Sequence, residues 1–146
     1  MIRLTKEQIR SIESHAESTY PNECGGMLIG SFSNDDVRFV SEVFPLQNAS
    51  EEDQKNRVLL APLDVLRAEK RARENKVDVI GYYHSHPEDE AVPSQYDLDH
   101  ALPVWSYIIV SVRGGKSVDV RSWRMEDDRS RFNKEDITEI HSAQDK

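Results

Sequence analysis

The chain has 146 residues, and 19 Lys+Arg against 27 Asp+Glu give a net charge of −8 with histidine neutral. That length suits one domain with its own core, an acidic balance speaks against non-specific nucleic-acid binding, and no apolar run approaches the ~20 residues of a membrane helix. The N-terminal MIRLTKEQIR lacks the apolar stretch of a secretory signal, and a lone cysteine, Cys24, excludes an internal disulfide, so the expected location is the cytoplasm.

Thr5 to about Tyr20 reads as a helix. Thr5 and Gln8 form a capping box, Leu4 can staple to Ile9, Ile9, Ile12 and Ala16 share a face, and Pro21 ends the element. Met27 to Ile29 and Val37 to Leu46 read as strands around the turn Ser33-Asn34-Asp35-Asp36. Gln47 to Arg57 is apolar-poor and is expected to be a mobile excursion; its Asn48-Ala49-Ser50 sequon has no meaning in a cytoplasmic chain. Pro62 to Asn75 is a second helix with Leu63, Leu66 and Ala72 on its expected inner face. Val77 to Tyr83 is an apolar strand expected to be buried on both faces. Ser94 to Leu102 is a short helix closed by Pro103, and Trp105 to Val112 with Ser117 to Trp123 makes a hairpin across Arg113-Gly114-Gly115-Lys116. The tail from Glu126 is charged and expected to be helical after Asn133. No repeat or linker divides the chain, so a single α/β domain over residues 1–146, a mixed sheet with helices against it, is expected.

Charge distribution says more than its total. Between Val77 and Val112 there is no Lys or Arg, while Asp78, Glu88, Asp89, Glu90, Asp97 and Asp99 accompany His84, His86 and His100. Such a stretch is either a solvated acidic loop or an environment for a cation.

Spacing narrows the choice. In Tyr83-His84-Ser85-His86-Pro87, where the apolar strand runs out, side chains alternate, so His84 and His86 point to one side. They are either two histidines at an exposed strand end or a pair of imidazoles sharing a metal. Ser94 and Asp97 have the spacing of a helix N-cap and its third residue, and a carboxylate in that first turn can also swing toward the histidines as an oxygen ligand. Two histidines and one carboxylate would leave a fourth tetrahedral position for water, as in catalytic zinc sites. Glu23, in Pro21-Asn22-Glu23-Cys24-Gly25-Gly26, is the candidate second carboxylate: it is either a surface glutamate in a turn or the proton acceptor beside that water.

His84-x-His86, seven residues, Ser94, two residues and Asp97, with an upstream glutamate before a strand, resembles the JAMM (MPN-plus) metalloprotease signature. Pro87 and Glu23-Cys24-Gly25 look like its short prokaryotic branch, and the likeness continues through Trp105 to Val112 and into Asp127-Asp128-Arg129-Ser130. The resemblance implies a mostly antiparallel mixed sheet flanked by helices, of the cytidine-deaminase-like kind. It implies one Zn²⁺ held by His84, His86 and Asp97, Glu23 as general acid/base, and Ser94 as hydrogen-bond donor to the oxyanion. Family members hydrolyse the bond after the C-terminal glycines of ubiquitin-like proteins. Short prokaryotic members are similar to enzymes that release cysteine from a ubiquitin-like sulfur carrier in cysteine synthesis, and others remove modifiers from lysines. With little room for insertions, this chain favours the small cysteine adduct. An extended Gly-Gly tail could bind as an added strand on a free sheet edge.

Cys24 beside Glu23 is read as a small residue packed at a strand start rather than a nucleophile. Ser85 should face away from the histidines, His100 falls near the site or on the surface, and Glu88, Asp89 and Glu90 read as a solvated rim. His15 and His141 have no partner pattern. His84, His86 and Glu90 also spell the HxHxxxE of cupins, but Asp78 and Asp97 stand where that pattern wants glycines, and the helices argue against a barrel. Non-catalytic MPN scaffolds have lost the ligands that this chain keeps.

Overall fold

Thr5 opens the first helix through its own side chain. In the computed structural model, which describes residues 1–50, 54, 58 and 60–142, Thr5 Oγ1 accepts from Gln8 N at 3.0 Å and Gln8 Oε1 accepts from Thr5 N at 2.8 Å, so the capping box satisfies two donors the helix leaves orphaned. The elements run β1 (Ile2–Thr5), α1 (Lys6–Thr19), β2 (Gly25–Phe32), β3 (Arg38–Leu46), α2 (Pro62–Glu74), β4 (Asp78–Pro87), α3 (Gln95–His100), β5 (Ser106–Arg113), β6 (Lys116–Met125), β7 (Phe132–Glu135) and β8 (Ile137–Ile140). The excursion expected over Gln47 to Arg57 lies largely outside the described residues.

The strands form one eight-stranded sheet in the order β7-β6-β5-β4-β2-β3-β1-β8. Its β2–β3, β2–β4, β5–β6 and β6–β7 pairings are antiparallel, and β1–β3, β1–β8 and β4–β5 are parallel. The sheet is therefore mixed and mostly antiparallel, as expected. β7 and β8 sit at opposite ends of that order although only Asp136 separates them, and Ile2 N donates to the Asp136 carbonyl at 2.9 Å. The run 132–140 thus pairs with β6 and then with β1, closing the sheet on itself.

One face carries α1, whose Ile12 and Ala16 pack with Ile2, Leu4, Leu28 and Ile108. The other carries α2, whose Ala68 packs with Met27 and Leu46. A register shift at Leu28/Ile29 lets Ile80 and Tyr83, three residues apart on β4, join the same α1-side core. Tyr83 lies over Gly26 so closely that a Cβ there would stand 2.3 Å from its ring, and its hydroxyl shares a 2.6 Å hydrogen bond with His15 Nδ1. The β5–β6 turn has Gly114 and Gly115 at φ of 58° and 82°, the left-handed conformations a two-residue hairpin requires.

Several expectations are corrected. The tail beyond Asn133 is not helical: β7 and β8 are strands, and Ile137 packs against the α1-side core. β1 has no counterpart in the sequence reading. Leu63 and Leu66 face outward at 60% and 56% exposure, because α2 approaches the sheet through its small residues, Ala68 and Ala72. The third helix is limited to Gln95–His100, with Ala101 already extended. The histidines do not lie at a strand's exposed end: β4 continues through Pro87, and parallel pairing with β5 buries both.

Candidate active site

Alternation along β4 places His84 and His86 on one side, with their Nε2 atoms 3.1 Å apart and their ring centroids separated by 4.9 Å. His86 Nδ1 lies 2.8 Å from the Glu90 carbonyl oxygen. A carbonyl only accepts, so Nδ1 carries a proton, and in the neutral ring Nε2 is left with a lone pair aimed at the cleft. The His84 ring stacks on Tyr82 at 5.4 Å.

α3 supplies the carboxylate. Ser94 caps it, with Oγ accepting from Asp97 N at 3.1 Å, while Asp97 Oδ2 accepts from Ser94 N at 2.8 Å. This capping box turns Asp97 toward β4, where Oδ1 is 3.2 Å from His84 Nε2 and Oδ2 is 3.3 Å from His86 Nε2. Burial works to raise the Asp97 pKa, but the facing His84, the hydrogen bonds from both histidines and the Ser94 amide outweigh it and hold the carboxyl well below the usual range. Burial likewise opposes charge on His86, and the hydrogen bonds to Asp97 and to the Glu90 carbonyl outweigh it, leaving its pKa raised.

Glu23 arrives from the segment between α1 and β2. It is buried, and one of its carboxylate oxygens lies with ligand atoms of His84 and His86 all within 4.8 Å of one another. Its backbone is held from outside the sheet: Glu23 N donates to the Gln54 carbonyl at 2.6 Å, and its carbonyl accepts from Asn48 Nδ2 at 3.1 Å. Next to it, Cys24 N donates to Ser85 Oγ at 2.8 Å on the opposite side of β4. Burial pushes the Cys24 thiol up to about 11, which suits a packed residue and not a nucleophile.

Glu23, His84, His86, Ser94 and Asp97 all line one cleft of about 480 Å³, walled by Val58, Leu60, Tyr82, Trp105 and Tyr107. Two imidazole nitrogens 3.1 Å apart face the two Asp97 oxygens at 3.2 and 3.3 Å, and ligand atoms of Glu23, His84 and His86 lie within 4.8 Å of one another. Bare lone pairs so close repel, so either a ring proton or a metal cation must lie between them, and a nitrogen-nitrogen-oxygen donor set fits zinc. The residues present can therefore hold a metal ion.

Residues outside the sequence reading complete the cleft. Tyr82 follows the same period-two alternation as His84 and His86 and was detectable by it, whereas nothing local distinguishes Asn48 or the Glu90 carbonyl. His100 also lines the cleft, with its Nδ1 donating to the Tyr96 carbonyl at 2.8 Å. His15 lies away from it, against Tyr83. Of the expected acidic rim, Asp89 borders the cleft, while Glu88 turns to Tyr20.

The family described as prokaryotic homologs of the JAB domain matches residues 5–126. Desampylase of Haloferax volcanii is 34% identical over 111 residues, which cover 71% of this chain and 76% of that protein. CysO-cysteine peptidase of Mycobacterium tuberculosis is 31% identical over 121 residues, 82% of this chain and 79% of its own. A solution structure of a protein from Desulfitobacterium hafniense superposes with a TM-score of 0.85 at 32% identity, covering 99% of this chain and 96% of the other. The crystal structure of a JAB1/MPN domain protein from Archaeoglobus fulgidus, at 20% identity and a TM-score of 0.57 over 94% of this chain and 98% of its own, shares the fold. The JAMM resemblance carried by His84, His86, Ser94 and Asp97 thus coincides with a match over most of the chain, and the protein belongs to the prokaryotic JAB family.

Proposed function

We propose that this chain is a single-domain, zinc-dependent hydrolase of the cytoplasm that cleaves the bond after the C-terminal Gly-Gly of a ubiquitin-like or sulfur-carrier protein, releasing cysteine from the carrier. The observation that carries this reading is the convergence of His84 Nε2, His86 Nε2 and the Asp97 carboxylate, with Glu23 facing the same point. His84, His86 and Asp97 would hold one Zn²⁺. When bound, the ion supplies Lewis acidity and lowers the pKa of a water from about 15.7 toward about 7.

Glu23 takes the proton of the attacking water on its carboxylate and returns it to the nitrogen of the departing amine. Ser94 Oγ already spends a lone pair on Asp97 N, so its own hydrogen is available to donate to the carbonyl oxygen as negative charge develops there. The Glu90 carbonyl keeps the His86 proton on Nδ1 and so keeps Nε2 a donor of electrons. Apolar walls from Leu60, Tyr82 and Trp105 exclude bulk water and suit an extended, glycine-ended tail.

Cysteine release is supported by the relative named CysO-cysteine peptidase; the relative named desampylase favours a second reading, removal of a ubiquitin-like modifier from lysine. A non-catalytic scaffold role is disfavoured by the retention of all the candidate ligands. The test is incubation of the zinc-loaded protein with a carrier bearing a C-terminal cysteine, followed by intact mass. Loss of one cysteine residue, absent with Glu23→Gln, supports the first reading. Cleavage of a lysine isopeptide alone selects the second, and cleavage of neither overturns the hydrolase assignment.

A further inference from the structure

Tyr20 Oη donates to Glu88 Oε1 at 2.5 Å, and the same oxygen accepts from Gly114 N at 2.7 Å. Tyr20 precedes Glu23 by three residues, and Glu88 follows His86 by two, so this contact joins the two segments that carry them. Glu88 has φ of 60°, a conformation uncommon for a residue with a side chain, and it needs compensation. Its backbone is also pinned: N donates to the Val112 carbonyl at 2.6 Å, and its carbonyl accepts from Arg113 Nη1 at 3.4 Å. The Asp89 carbonyl accepts from Ser111 Oγ, and the Glu90 carbonyl then accepts from His86 Nδ1 at 2.8 Å. A turn anchored to β5 and to the β5–β6 hairpin thus ends on the one carbonyl that fixes the tautomer of His86.

We propose that Glu88 is a positioning residue whose carboxylate, gripped by Tyr20 and Gly114, sets the 88–90 turn so that the Glu90 carbonyl aims His86 Nε2 into the cleft. Glu88 is exposed, as the solvated rim read from the sequence expects, and the structure adds to that place the support of His86. The consequence for zinc rests on the proposed function, whereas the consequence for the His86 ring does not.

The test compares the full-length wild type with Glu88→Ala, Glu88→Gln and Tyr20→Phe. Zinc affinity is read by competition with a chromophoric chelator, and the His86 ring-nitrogen signals of the metal-free protein by NMR. Direct outer partners of metal-binding histidines typically govern 10- to 100-fold in affinity, and Glu88 acts one step behind such a partner from an exposed position, so Glu88→Ala should weaken zinc binding by about five- to tenfold. At a pH where the His86 ring is neutral, it should also shift the His86 signals away from a single Nδ1-protonated form. Glu88→Gln keeps an oxygen that can accept both hydrogen bonds and should stay within about threefold of wild type. Tyr20→Phe removes one donor without altering the turn, should fall between the two, and carries the test if Glu88→Ala does not fold. Wild-type affinity with unchanged His86 signals in Glu88→Ala and Tyr20→Phe overturns the proposal. A wild type that binds no zinc overturns the proposed function instead, and the His86 signals still decide the role of Glu88.

Discussion

Ser94 is assigned two tasks for one hydroxyl, and glycine separates them. Its Oγ accepts from Asp97 N at 3.1 Å as the cap of α3, and its hydrogen is the proposed donor to the substrate oxyanion. Ser94→Ala removes both, and loss of an N-cap oxygen costs about 1 kcal/mol, toward 0.5 at an exposed position such as this one. Ser94→Gly loses only a few tenths as a cap because glycine is itself tolerated there. The Ser94 amide that donates to Asp97 Oδ2 at 2.8 Å is backbone and survives in both variants, so the carboxylate stays aimed at the histidines. Removing one oxyanion donor costs about 10²–10³ in kcat, or about 2.7–4 kcal/mol of transition-state stabilisation. Both variants should therefore lose that factor in turnover of a carrier–cysteine substrate while retaining zinc, and only Ser94→Ala should unfold at measurably lower urea. Ser94→Thr, which keeps the hydroxyl, should retain most of both properties. A zinc-loaded Ser94→Gly protein with kcat within about threefold of wild type would refute the donor role.

Ser85→Ala leaves the buried Cys24 amide without its 2.8 Å acceptor and should cost about 1–3 kcal/mol in urea unfolding; a loss under about 0.5 kcal/mol would contradict it. Cys24, with its thiol pushed up to about 11 by burial, should resist iodoacetamide near pH 8 in the native protein and react once unfolded; native labelling at a free-thiol rate would overturn this. On α2, Leu66→Lys should change stability by less than about 0.5 kcal/mol, whereas Ala68→Leu should cost about 1–3 kcal/mol by overpacking against Met27 and Leu46; equal effects would put the wrong face inward. In the metal-free protein, the raised His86 contributes stability that is full below 6.5 and lost as pH rises through its folded-state value. The lowered Asp97 contributes stability present above 3.8 and lost as pH falls below that. The melting temperature of the metal-free wild type should thus decline at alkaline pH relative to Asp97→Asn, and parallel profiles for the two proteins would contradict the coupling.

Legibility followed how local each determinant is. His84 and His86 share a side because strand alternation needs only two residues, and Ser94 and Asp97 meet because a capping box spans only four. Glu23 was distinguishable from other acids only through the family pattern. Its backbone partners, Asn48 and Gln54, lie 25 and 31 positions further along, in a segment without periodicity. β1, β7 and β8 are four-residue strands whose pairing partners are remote, and no run so short has a readable period. On α2, Ala72 is buried as expected, and only Leu63 and Leu66 depart from the reading, because leucines normally mark the inner face. Here the close approach to Met27 and Leu46 requires alanine instead, and the leucines are displaced outward.

The pairing of β1 with β8 also bears on the order in which the chain matures. Ile2↔Ile137 and Thr5↔Ile140 join residues 135 positions apart, among the most non-local contacts the molecule makes. During synthesis β1 can therefore meet β3 well before β8 exists, and its outer row of amides and carbonyls stays open until residues 137–140 emerge. The candidate catalytic residues all precede residue 98, before β2, on β4 and at the start of α3, and can assemble while that edge is still bare. A late-released or shortened tail would then yield a chain with its cleft formed and one sheet edge adhesive, prone to self-association rather than to loss of chemistry. β8 thus acts as a seal on β1 that is set after the site residues have assembled.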